Sequence, residues 1–138
     1  MYQELLSQYS AANPHMVPQP PASEEQIQSA EKLLCLSFPE KLRQLLLELN
    51  GDRWLLFSAE EIAERTLGVR EGLGECYDGL DQLLFIAGNG CGDYYGYRVE
   101  DGAVCGDQII YWCHETNESR VIAHSLAEMI TLYYTDQI

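Results

Sequence analysis

Basic residues are scarce in this chain: eight Lys and Arg stand against twenty-two Asp and Glu in 138 residues, a formal charge of −14. That balance repels nucleic acid and anionic membranes, so neither is an expected partner. Long apolar runs are missing too, and the opening MYQELLSQYS has neither the basic start nor the apolar core of a signal peptide. The five cysteines, Cys35, Cys76, Cys91, Cys105 and Cys113, are scattered and odd in number, as suits reduced thiols in a cytoplasm. With no Cys-x-x-Cys pair, Cys91, Cys105, Cys113 and His114 do not read as a zinc set. Asp78, Asp81 and Asp93 miss the EF-hand spacing. Of three histidines, His15 sits in a proline-rich stretch and His124 just before a helix cap. His114 follows Cys113, which on a strand would point the two to opposite faces. No catalytic set, metal site, cofactor or internal repeat emerges.

What the chain does contain is organised around Leu83–Val99, LLFIAGNGCGDYYGYRV. An apolar run enters Gly88-Asn89-Gly90-Cys91-Gly92 and an aromatic stretch leaves it, which predicts a chain reversal between two strands. The spacing of the three glycines departs from GxGxxG, and a strand follows where a phosphate cradle needs a helix. On the second strand Tyr95, Tyr97 and Val99 share one face, with Tyr94, Gly96 and Arg98 on the other.

Helices precede this hairpin. Tyr2, Leu5, Leu6 and Tyr9 recur at helical spacing over residues 2–11, and a proline-rich connector follows through Pro21. Ser23 with Gln26 has capping-box spacing before Ile27, Ala30, Leu33 and Leu34. Phe38-Pro39 opens another helix with a stripe of Leu42, Leu45, Leu46 and Leu49, closed by Asn50-Gly51. Trp54–Phe57 reads as a short buried strand, and Ser58 with Glu61 caps a helix through Ile62, Thr66 and Val69. After the hairpin come a turn at Glu100–Gly102, a strand at Ile109–Trp112, and an edge strand at Arg120–Ala123. Ser125 with Glu128 then caps a final helix. Consecutive, hairpin-joined strands without crossover helices define an α+β fold. Residues 1–22 are expected to form a helix and connector, and residues 23–138 a single domain.

These residues resemble the SMI1/KNR4 (SUKH) superfamily. The likeness is carried by Phe38-Pro39 with Leu42, Leu45 and Leu46, by Asn50-Gly51, and by Ile86–Tyr95. It continues through Val104, Ile110–Glu115 and Ala123–Ile130, and so covers about residues 23 to 135. The chain departs from the family pattern at Phe38, where Leu is commoner, and at Leu126, where Phe is. The resemblance implies an α+β domain. It also implies, for many bacterial members, an immunity protein that neutralises a polymorphic secreted toxin, often a nuclease; fungal relatives are regulators in cell-wall signalling. It brings no catalytic set.

Between Glu71 and Glu118 ten acidic residues meet a single base, Arg98. This region either steers a basic protein partner or only keeps the chain soluble. Its aromatics either fill the core or supply contact hot spots. The surface expected to bind a partner comprises Asp93, Tyr94, Tyr95, Tyr97, Glu100, Asp101 and Trp112, although alternation alone does not say which sheet face is outward. The functional expectation is a non-catalytic protein that occludes a cognate toxin domain. The alternatives are a regulatory interaction module and, from another class, a small metal-assisted hydrolase.

Overall fold

In the computed structural model, which describes residues 1–138, five helices surround one antiparallel sheet. The helices are α1 (Tyr2–Ser7), α2 (Glu24–Leu34), α3 (Glu40–Glu48), α4 (Ala59–Leu73) and α5 (Leu126–Tyr134). The strands are β1 (Leu83–Gly88), β2 (Tyr94–Glu100), β3 (Ala103–Val104), β4 (Ile109–Trp112) and β5 (Ser119–Ala123). The sheet order is β1-β2-β4-β5, with β3 paired to β2, so β5 forms an uncovered edge. This is the α+β arrangement that the element order predicts.

Capping chemistry sets the helix starts. Ser23 and Gln26 satisfy one another's backbone N–H groups at α2, as do Ser58 and Glu61 at α4. At α5 the Ser125 hydroxyl accepts from the Glu128 N–H, while Glu128 makes no return bond. α3 starts after Pro39 as expected. It ends at Glu48, with Leu49 already extended, so Asn50-Gly51 belongs to the turn beyond the helix and does not close it. α4 runs four residues past Val69, through Gly72. Val69 and Leu73 pack on the sheet there, and the Arg70 guanidinium donates to the carbonyls of Leu80, Asp81 and Leu83.

Two stretches depart from expectation. Trp54–Phe57 is not a strand: only Leu56 makes a bridge, to Ala87, while Trp54 is 47% exposed and stacks on His15. Even so, Phe57 N–H donates to Ile86 and Gly88 N–H to Leu55, which covers the outer edge of β1 and leaves that strand buried throughout. The predicted helix over residues 2–11 stops at Ser7. The first 22 residues are nonetheless tied into the body. Tyr2, Leu6, Met16 and Ala22 join the main core, and residues 17–22 exchange backbone hydrogen bonds with residues 46–52.

The sheet is packed on both faces. On one, Leu84, Ile86, Tyr95, Tyr97, Val99 and Ile109 meet the apolar sides of the helices in the main core. On the other, Leu83, Phe85, Ile110 and Trp112 form a smaller core with Leu80. The half-buried Val69, Leu73, Tyr77 and Tyr94 pack against it. A bulge between Phe85 and Ala87 interrupts the pairing of β1 with β2, and the buried Thr66 hydroxyl accepts the Phe85 N–H there.

Asp52, fully buried, is the polar centre of the main core. Its Oδ1 accepts the N–H groups of Trp54, Leu55 and Leu56, and its Oδ2 accepts the Tyr134 hydroxyl at 2.6 Å. Burial, and then the neighbouring carboxylate, push the Tyr134 phenol well above its ordinary range. Asp52→Ala strands these donors without partners and is expected to cost about 3 kcal/mol or more, because each unmet buried group costs about 1–3. Tyr134→Phe removes one donor and is expected to cost less. Urea midpoints for both variants check the ranking, which a harmless Asp52→Ala would refute.

Candidate functional site

The β1–β2 reversal lies where the Asn-Gly signal puts it, with Gly90 and Gly92 at φ of 80° and 98°. Its polar residues are fully engaged. Cys91 N–H donates to the Asn89 side chain, whose amide donates in turn to Asp93. Asp93 also accepts the Tyr111 hydroxyl, the His114 backbone N–H and the His114 Nδ1–H, the last at 2.7 Å. The His114 ring lies flat over Gly92, where a Cβ would come within 2.9 Å of it. Further bonds lead outward. Tyr77 donates to the His114 carbonyl, Trp112 Nε1 to Asn117, and Asn117 to the carbonyl of Asp78. The hairpin tip, the β4–β5 turn and the segment after α4 are thus braced together.

Burial alone would raise the Asp93 carboxyl. The hydrogen bonds from Tyr111, His114 and Asn89 outweigh it and hold the group down at about 2. The same bond to Asp93, with burial second, pushes the Tyr111 hydroxyl well above its ordinary range. Asp93 is therefore a brace within the fold and not a carboxylate free to meet a partner.

The second reversal, β2–β3, turns at Asp101 and Gly102, both at positive φ (52° and 75°), the pattern of a tight type I′ hairpin. Beside it lies a groove of about 610 Å³. Its walls are Val99, Glu100 and Asp101 of the hairpin, Leu34 and Leu36 at the end of α2, and Asp81. Asp81, Glu100 and Asp101 are exposed. The one base in the wall, Arg70, is held by backbone carbonyls, and its burial lowers it from its ordinary value.

The residues expected to meet a partner are thus divided. Glu100 and Asp101 are on the surface together, and Tyr94 is half-buried beneath the first hairpin. Tyr95, Tyr97 and Trp112 are core residues, 2%, 1% and 1% exposed, because helices and the α4–β1 segment cover both sheet faces. Their rings hold the sheet and are not contact anchors. Sequence reasoning placed Asp81 only as a metal candidate; its membership of the acidic groove depends on α2 reaching the β2–β3 turn, which no local pattern reports.

Nowhere do three or more His, Cys, Asp or Glu gather in a metal-holding arrangement; Cys91, Cys105, Cys113 and His114 remain apart as a ligand set, as do Asp78, Asp81 and Asp93. All five cysteines are free. His114 and Asp93 form an oriented imidazole–carboxylate pair, but no hydroxyl or thiol hydrogen-bonds to the other ring nitrogen. No helix is long and apolar enough to cross a membrane.

Helices packed around a short antiparallel meander define an α+β domain. The chain belongs to the SMI1/KNR4 family (SUKH-1), whose family model matches residues 21–132. Comparison with curated proteins found no match.

The depressed Asp93 carboxyl carries a pH signature. A group lowered in the folded state stabilises the fold above its unfolded pKa, near 4, and that contribution fades as pH falls toward the folded value of about 2. The stability gap between the wild type and Asp93→Asn should therefore narrow between pH 5 and pH 2. Denaturant midpoints across that range test it, and a constant gap would show that Asp93 is not held low.

Proposed function

We propose that the chain is a non-catalytic immunity-type protein that neutralises a basic toxin domain, with the acidic groove at the β2–β3 hairpin meeting the toxin. The observation that carries this reading is the cluster of exposed carboxylates, Asp81, Glu100 and Asp101, on a chain of charge −14. The one arginine in the groove is already bound to carbonyls, so these charges are available to a partner. Membership of the SMI1/KNR4 family supports the same reading. The mechanism is occlusion. Carboxylates take the place of substrate phosphates on a cationic toxin surface, and long-range attraction accelerates the encounter.

The test takes the full chain and the protein encoded next to its gene, and measures surface-immobilised kinetics at two salt concentrations. Replacing Asp81, Glu100 and Asp101 by Asn, Gln and Asn should slow association by about tenfold at low salt. The effect should be much smaller at physiological ionic strength, where the Debye length is about 8 Å. Dissociation should change less, because exposed rim charges act chiefly on the encounter. Association that ignores both salt and the three substitutions would overturn the electrostatic mechanism, and a neighbouring protein that does not bind would overturn the immunity reading.

A further inference from the structure

The core-facing side of α2 is formed by Ile27, Ala30 and Leu34, and Leu33 stands off that face at 65% exposure. Apart from Met1, no large apolar side chain of the chain is as exposed. Leu33 lies on the rim of a second groove, of about 480 Å³, between α2 and α4. Both helices present the groove with residues at i, i+3/4 and i+7. α2 contributes Gln26, Ala30 and Leu33, and α4 contributes Glu60, Ala63 and Leu67. Ala30 and Ala63 are buried where the two helices meet, so the exposed apolar surface of the groove is Leu33 with the half-buried Leu67, together at one end. Over seven residues such a groove runs about 10 Å, or two turns of helix.

The charge on its walls has one sign. Glu25, Glu60 and Glu64 line the groove, all three exposed, and no Lys or Arg does. Glu60 accepts hydrogen bonds from Gln26 and Asn50, while Glu25 and Glu64 form no side-chain hydrogen bond or ion pair. Two leucines at one end of the groove, flanked by carboxylates, complement a helix with an apolar stripe flanked by Lys or Arg.

We infer that the α2–α4 groove is a docking site for a basic amphipathic helix of a partner protein, with apolar residues one turn apart seated against Leu33 and Leu67. The groove is distinct from the acidic one at the β2–β3 hairpin and needs no toxin to be examined.

The probe is a synthetic peptide of about 15 residues, the length at which isolated helices begin to hold in water. It carries Leu at i, i+4 and i+7, with Lys on the flanking positions. A scrambled peptide of the same composition and a version with Glu in place of Lys serve as controls. The isotope-labelled full chain is titrated with each peptide, amide shifts are mapped, and affinities are read from fluorescence anisotropy. Saturable binding of the amphipathic basic peptide is expected, with shifts centred on Ser29 to Leu33 and Ala63 to Leu67. Leu33→Asp should weaken it by about tenfold or more. Because Leu33 is exposed, that variant should keep the wild-type circular dichroism spectrum. Glu25→Gln with Glu64→Gln should weaken binding at low salt and leave the fold untouched.

Shifts scattered over the acidic surface, or gathered at the β2–β3 hairpin, would overturn the assignment. So would equal binding of the scrambled peptide or an unaffected Leu33→Asp variant. Self-association that disappears in Leu33→Asp would also refute it, since a second copy would then be the occupant. Failure here leaves the toxin reading standing, and failure of the toxin to bind leaves the peptide result standing.

Discussion

A buried carboxylate holds this fold together. Asp52 lies far in sequence from Tyr134, and their hydrogen bond joins the turn after α3 to the last turn of α5. Its other oxygen organises residues 54–56, which in turn cover the edge of β1. The Asp52 carbonyl accepts the Val17 N–H, so the proline-rich connector is drawn to the same point. Tyr9 stacks on Tyr134 and brings the chain after α1 against α5. A buried charge is costly unless its lone pairs are filled, and here four donors fill them. Segments with little regular structure thereby share one anchor, and the sheet edge they cover inherits its stability.

Packing on both faces of the sheet decides what the surface can offer. Aromatic rings that would serve as contact anchors are spent on two cores, one on each side. Turns and helix flanks remain, and the free charges there are overwhelmingly acidic. Such a surface favours fast, salt-sensitive encounters over tight aromatic anchoring. The two hairpins use their carboxylates differently. Asp93 is consumed by Tyr111, His114 and Asn89, whereas Glu100 and Asp101 project beside the groove.

Local signals in the sequence were read well. The capping boxes at Ser23 and Ser58 start α2 and α4, and Asn89-Gly90 turns β1 into β2. The order of hairpin-joined strands suffices for the α+β class. Failures cluster where a distant part of the chain settles the outcome. Trp54–Phe57 has strand-like residues, but its backbone is shaped by hydrogen bonds to Asp52, which is itself held by Tyr134 from the far end of the chain. The alternation of β2 separates Tyr95 from Tyr94 correctly, yet could not reveal that the α4–β1 segment closes the second face. Asp52 itself gave no signal, because a lone Asp after Asn-Gly looks like any turn residue. The acidic groove was half legible: Glu100 and Asp101 stood out as a charged turn, while Asp81 and the end of α2 join them only in three dimensions.

The uncovered edge of β5 has a colloidal consequence. One border of the sheet is shielded by residues 55–57, and the other presents open backbone with Val121 42% exposed. Exposed edges invite strand addition from another molecule. Arg120, its guanidinium over the Tyr111 ring, places one charge on this edge. The larger barrier is mutual: two copies at −14 each repel before their edges meet. That barrier exists only while the field extends beyond the surface, and concentrated salt shortens its reach to about 3 Å at 1 M. Raising the ionic strength therefore weakens this guard against edge-to-edge association, and dilute salt is the protective regime.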